Sequence, residues 1–155
     1  MKIRRPRARI SRTPGRRGAT LVETALAIPI ALLLMFGIFE YGRYVMMRNV
    51  LANAAREGAR LAVIHTHDLA TADIQNQVMN YLGGQQYQVQ NLTIQVYPTD
   101  ANGNAVAGGD WTATPFGSCI GVQIDADYQP VLPSFLMMPN MVHLETVAVM
   151  TSEGN

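Results

Sequence analysis

Residues 24–39, TALAIPIALLLMFGIF, are sixteen consecutive residues without a charge, and this run limits the fold more than any other stretch. Extended back to Ala19 it covers 21 residues interrupted only by Glu23. At about 1.5 Å per residue, a helix of that length reaches roughly 32 Å, enough to cross a bilayer core of about 30 Å. A helix buried in a water-soluble core would show a polar face with a period of 3.6, which is missing here. The run therefore predicts a transmembrane segment over residues 19–39. Pro29 lies inside it. In an exposed soluble helix a proline costs about 3 kcal/mol, whereas in a membrane neighbouring helices and local adjustments satisfy the freed carbonyl. A kink or a short unwound stretch is expected near Ala25 to Pro29.

The flanking charges set a direction. Eight of the 12 basic residues (Lys2, Arg4, Arg5, Arg7, Arg9, Arg12, Arg16 and Arg17) fall in the first 17 positions, where there is no acid. The rest of the chain carries 4 basic and 11 acidic groups, so the formal net charge of +1 joins two opposite parts. A polybasic start before the span, with net acid after it, puts the N-terminus in the cytoplasm and the C-terminal portion across the membrane. Length allows one domain and excludes a multi-domain enzyme. With 48% hydrophobic and 15% charged residues, the chain is not wholly disordered. Cys119 is the single cysteine, which permits no internal disulfide and no cysteine-based metal site; it reads as a buried small hydrophobe.

Helical character continues past the span. Over residues 40–64, apolar or small side chains recur at Tyr44, Met47, Leu51, Ala55, Gly58 and Ala62, with Arg48, Arg56 and Arg60 at other angles. One helix of some 40 residues is expected, half in lipid and half amphipathic. Ala52, Ala55, Ala59 and Ala62 would let a neighbour pack close to its backbone. Asp68 to Leu82 reads as a second helix, with Leu69, Ile74, Val78, Tyr81 and Leu82 near one face and Gly83-Gly84 as its stop.

The period then changes to two. Leu92, Ile94 and Val96 alternate with polar neighbours, as do Ile120, Val122, Ile124 and Ala126, and then Val142, Leu144, Thr146 and Ala148. Three such strands make a small antiparallel sheet, which needs a partner on its apolar face, and the long helix is the natural lid. The fold class is thus α+β: a long N-terminal helix, transmembrane then amphipathic, packed on a small antiparallel sheet. Residues 98–118, rich in Gly, Asn, Asp and Thr, predict a surface hairpin or loop. Residues 130–140, PVLPSFLMMPN, predict an apolar loop that plugs an open end of the sheet or meets a partner.

At the junction of the basic leader and the apolar span stands Gly18-Ala19-Thr20-Leu21-Val22-Glu23. A glycine followed five residues later by a glutamate in this position resembles the type IV pilin-like proteins, whose leader is cut after that glycine by a prepilin peptidase on the cytoplasmic side. Residues 16–43, RRGATLVETALAIPIALLLMFGIFEYGR, followed by NVLANAAREGARLAV, resemble the TadE-like minor pilins, or pseudopilins, of the Flp/Tad pilus machinery. The ending ETVAVMTSEGN is similar to that family's C-terminal strand. Ala19 stands where ordinary type IV pilins have phenylalanine, and Thr24 where the major Flp pilins have tyrosine; this chain is also far longer than those major subunits. The resemblance implies a pilin-like fold divided into a prepilin leader (1–18), a transmembrane segment (19–39), the amphipathic continuation of the helix (40–64) and an extracytoplasmic α+β head (65–155). It implies processing at Gly18 and Ala19 and residence in the bacterial inner membrane, N-in and C-out, or in a pilus at the cell surface after assembly. Its partners would be prepilin peptidase, other pilin and pseudopilin subunits and inner-membrane lipid.

Physical chemistry gives Glu23 a task. A carboxylate beside an apolar span is costly without a partner, on the order of 2.5 to 3.5 kcal/mol at a helix centre and less near its end. Cleavage after Gly18 would create an α-amine on Ala19, cationic below a pKa of about 8. In stacked subunits Glu23 can neutralise that amine in a neighbour, which favours one axial register.

Enzymatic constellations are poor, and the chain reads as no enzyme, without cofactor and without metal. His65-Thr66-His67-Asp68 crowds ligand types, but as a connector between helices. Asp125 and Asp127 read as solvated acids on an outer strand face. Ser118-Cys119 has no nearby histidine, and phosphate-binding glycine loops are missing. The basic leader lacks the interleaved aromatics of a nucleic-acid site, so nucleic acid is not an expected partner. A secretory signal peptide needs a small-x-small cleavage site after the apolar run, where the sequence reads GIFEYGR, and the Arg16-Arg17 pair lacks the apolar residues that follow a twin-arginine motif. The remaining alternative is a single-pass membrane-anchored extracytoplasmic binding domain with an uncleaved N-terminus.

Overall fold

The computed structural model describes residues 16–100, 102–106, 109–131 and 139–152. The basic leader up to residue 15, and residues 132–138 of the apolar loop, lie outside the described residues. Two compact units divide the chain, Met1–Phe36 and Gly37–Asn155, and each is described by itself.

Helix α1 spans Arg16–Ile64. In the first unit it is helical through Pro29 without an unwound stretch. Sequence reasoning had allowed an interruption there; one missing N–H does not end a helix whose hydrogen bonds continue on both sides of it. The apolar side chains of this part are exposed, among them Leu21, Val22, Leu26, Ile28, Ile30 and Leu34.

The second unit is an α+β head in which the continuation of α1 covers a sheet. The remaining elements are α2 (Thr71–Leu82), β1 (Val89–Thr99), β2 (Cys119–Tyr128) and β3 (Val142–Thr151), with 3-10 turns at Gln85–Gln88 and Trp111–Ala113. The sheet is antiparallel in the order β1-β2-β3. Met47, Leu51, Ala54, Ala55, Ala59, Ala62 and Val63 of α1 share one core with Ile74, Val78 and Leu82 of α2 and Ile120, Val122, Ile124 and Ala126 of β2. The 3.6-residue and two-residue periods of the sequence thus meet face to face. Arg48, Arg56 and Arg60 are exposed, as their helical angles require.

Gly58 is the closest approach in that core. A Cβ there would lie 2.6 Å from Val78 Cγ2 and 3.4 Å from Val122 Cγ1, so the missing side chain is what lets α2 and β2 reach the α1 backbone.

Helix α2 begins at Thr71, three residues later than the sequence suggested. Asp68 belongs to the preceding turn, and the Asp73 carboxylate accepts from the Ala70 N–H at 2.9 Å, closing the first turn of the helix. Gly83, at φ 56°, ends it in the left-handed conformation. On its apolar face Ile74, Val78 and Leu82 are buried, but Tyr81 is exposed.

The loop between β1 and β2 is less of a surface feature than its composition implied. Asp100 does organise a turn by accepting from the backbone N–H groups of Asn102 and Asn104, each at 2.9 Å. Trp111 then turns inward to 3% exposure, and its indole N–H donates to Thr71 Oγ1 at 2.8 Å. A single large aromatic gains enough from burial to pull a polar loop onto the core.

Candidate functional site

The junction residues lie at the start of α1. Gly18 is inside the helix, and a Cβ placed on it would meet nothing within 4 Å. Packing among the described residues therefore gives no reason for a glycine at that position. Glu23 is exposed, as are the apolar residues around it. Thr24 satisfies its own hydroxyl by donating to the Thr20 carbonyl at 2.8 Å, so it adds no unmet polar group to the run. The most apolar 18-residue window of the helix has no residue buried. This is the surface expected of a helix whose solvent is lipid or the helices of other subunits.

Where the apolar run ends, the second unit contains a buried polar cluster that sequence reasoning missed. Glu40 is only 4% exposed. Its Oε1 accepts from the Tyr128 hydroxyl, and its Oε2 from the Val131 N–H at 3.2 Å. Arg43, one turn further along α1, places Nη1 3.6 Å from Glu40 Oε1 and its guanidinium carbon 5.7 Å from the Tyr128 ring centroid. The Tyr44 ring meets Tyr128 edge-on at 5.9 Å. Burial first, and then the bond to Glu40, push the Tyr128 hydroxyl up to about 12, against the opposing pull of Arg43. The cluster fixes the end of β2, and the chain just beyond it, to the first turns of α1 in this unit. Only the Glu40–Arg43 spacing was open to sequence reasoning; Tyr128 lies 88 residues away.

A second polar cluster occupies the face of the sheet opposite the core. Asp125 pairs across the strands with Glu145, and Asp127 with His143. His143 Nδ1 lies 3.0 Å from Asp127 Oδ1, while Asn91 Nδ2 donates to Asp127 Oδ2 at 2.8 Å. Asn91, at φ 51°, lies at an irregularity of β1 between Gln90 and Thr93, and the added bend there brings its amide to Asp127. The bond from Asn91, and then that from His143, hold the Asp127 carboxyl below its ordinary range, while Asp127 raises His143. Asp125 and Asp127 are thus on the outer face as expected, but in a network with His143 and Glu145 rather than as isolated acids.

The other candidates disperse. The Thr66 hydroxyl is buried, 3.0 Å from Ser152 Oγ, and His67 Nδ1 lies 2.7 Å from the Thr112 carbonyl oxygen. His65 Nδ1 lies 3.8 Å from Asp68 Oδ2. These residues tie the α1–α2 connector to the loop and to the chain end. Cys119, expected to be buried, is half-buried at the start of β2.

Neither the comparison with curated proteins nor that with solved structures finds a match. The family described as TadE-like protein matches residues 18–60, from the junction glycine through the lipid-length run and into the helix that covers the sheet. It is this segment, and not the chain as a whole, that is similar to the TadE-like, pilus-associated proteins.

Proposed function

We propose that this chain is a minor pilin, or pseudopilin, of a Flp/Tad-type pilus or secretion filament, a structural subunit rather than an enzyme. It enters the inner membrane with its N-terminus in the cytoplasm. Prepilin peptidase then removes residues 1–18, and the mature chain joins other pilin and pseudopilin subunits through α1. The observation that carries this reading is the TadE-like match over a helix whose apolar window has no buried residue. Gly18 adds support, since no contact among the described residues calls for a glycine there, as does an exposed carboxylate five residues on at Glu23.

In the assembled state Glu23 neutralises the new α-amine of Ala19 on an adjacent subunit. Out of water that pair has few other partners, so it selects the stagger at which subunits stack. The decisive experiment is made in the native host. Glu23→Ala should leave processing and membrane insertion largely intact, with a mass that places the N-terminus at Ala19, and should prevent incorporation into the apparatus. Normal incorporation of the variant would overturn the pairing. A mass that begins at Met1 would replace the pilin reading with that of an uncleaved single-pass anchor.

A further inference from the structure

The outer face of the sheet brings together the donor atoms of three side chains. The ligand atoms of Asp125, His143 and Glu145 all lie within 4.8 Å of one another. Around a tetrahedral zinc-sized ion with bond lengths near 2.1 Å, two donors stand about 3.4 Å apart. Two of the three side chains are exposed and one is half-buried, so rotations of the exposed His143 and Glu145 side chains can close the remaining distance.

Two independent features point to a cation. First, Asp125 and Glu145 are direct cross-strand partners, like charges that destabilise the pairing unless something positive lies beside them; among the described residues only a protonated His143 can do this, and a bound cation would do it for both acids at once. The Gln123 amide donates to both Asp125 oxygens at 3.1 Å and to Glu145 Oε1 at 3.3 Å. It supplies hydrogen bonds but no charge. Second, the imidazole is already oriented. Asp127, itself held by Asn91, engages His143 Nδ1, and the other ring nitrogen, Nε2, lies 3.8 Å from Asp125 Oδ1. A carboxylate holding one nitrogen of a histidine so that the other offers its lone pair is the usual support of a metal-bound imidazole.

We propose that Asp125, Glu145 and His143 Nε2 form a site for a divalent transition-metal cation of the Zn2+ type, with Asp127 and Asn91 as positioning residues. One nitrogen and two carboxylate donors suit zinc better than Ca2+ or Mg2+, which favour shells made of oxygen alone. Three protein ligands leave a coordination position for water or for a group from another molecule. The bound ion joins β3 to β2 on the solvent side, where the core contributes nothing to the pairing.

The test uses the full chain in detergent, freed of metal by a chelator and titrated with Zn2+ by calorimetry, and with Co2+ for its visible ligand-field bands. One equivalent should bind, and its binding should raise the melting temperature of the head, as linkage requires. His143→Ala and Glu145→Gln should each weaken binding at least tenfold. Asp127→Asn, which keeps all three ligands, should weaken it about 10- to 100-fold. The His65→Ala/His67→Ala pair and Cys119→Ser should bind as the parent does. Circular dichroism of each metal-free variant checks that the sheet remains. The site is overturned if the parent shows no saturable Zn2+ binding up to about 1 mM. It is equally overturned by zinc binding that survives His143→Ala, by binding that is lost with His65 and His67, or by Ca2+ binding as tightly as Zn2+.

Discussion

Along α1, Leu21, Val22, Leu26, Ile28, Ile30 and Leu34 are each more than half exposed, whereas Met47, Leu51, Ala54, Ala55, Ala59 and Ala62 are at most 1% exposed. Both groups are apolar and both are helical. In the later group large and small residues share one face, and the head supplies strands and a second helix to cover it. In the earlier group apolar residues occupy every face, and among the described residues of their unit none covers them. Periodicity therefore separates burial within a chain from burial that has to come from outside it, in lipid or in other subunits. The two polar clusters of the head divide in a similar way: the carboxylate of Glu40 is buried and bonded within the chain, while the cluster around Asp125 lies on the outer face of the sheet with two of its side chains exposed.

Substitutions that strike one region and spare the other test this contrast. Leu51→Ala should have the largest effect, removing about 2–5 kcal/mol from the stability of the head while membrane association stays unchanged, as read by denaturant titration and by carbonate extraction. Leu33→Arg should do the reverse. A cation at the centre of the span costs insertion about 2.5–3.5 kcal/mol, so the membrane-associated fraction falls while the melting of the head stays as it was. A coupled loss in both assays for either variant would break the separation of the two regions.

Gly58→Ala should follow, at about 1–3 kcal/mol from overpacking against Val78, measured by the same head melting; an unchanged melting point would show that α2 yields freely. Tyr128→Phe should cost about 1–3 kcal/mol near neutral pH by leaving Glu40 with a lost donor. The pH dependence has a definite sign. The folded hydroxyl titrates near 12 and an unfolded tyrosine near 10, so between these values the folded chain holds a proton that the unfolded chain has released. Stability then falls as pH rises from about 10 to about 12. Tyr97 is also raised by burial, so the measurement is the difference between the parent and Tyr128→Phe. That difference should shrink over this interval, and a constant difference would remove the Glu40–Tyr128 bond as its cause.

Much of the fold could be read from spacing. Tyr44 through Ala62 marked the face of α1 that covers the sheet, Gly83 marked the end of α2, and the alternation from Ile120 to Ala126 marked the inward face of β2. The start of α2 was misplaced because Asp68 and Asp73 are equally good first-turn acids by composition, and only the contact to Ala70 distinguishes them. Trp111 was hidden in a loop of turn-forming residues. The proposed assembly site at Gly18, Ala19 and Glu23 rests on local order alone, whereas the clusters at Glu40 and at His143 join residues far apart in the chain and were not legible in the sequence.

The sequence by itself determined the lipid-length run and the alternation of two periods. Each of these follows from residues within a few positions of one another, whose side chains are placed by helix or strand geometry alone. Only the tertiary structure decided that Glu40 is buried against Tyr128, that Gly58 admits Val78 and Val122, and that Asp125, His143 and Glu145 face one another. Those are relations of register and packing between distant segments, and no local preference specifies which pair of segments will meet.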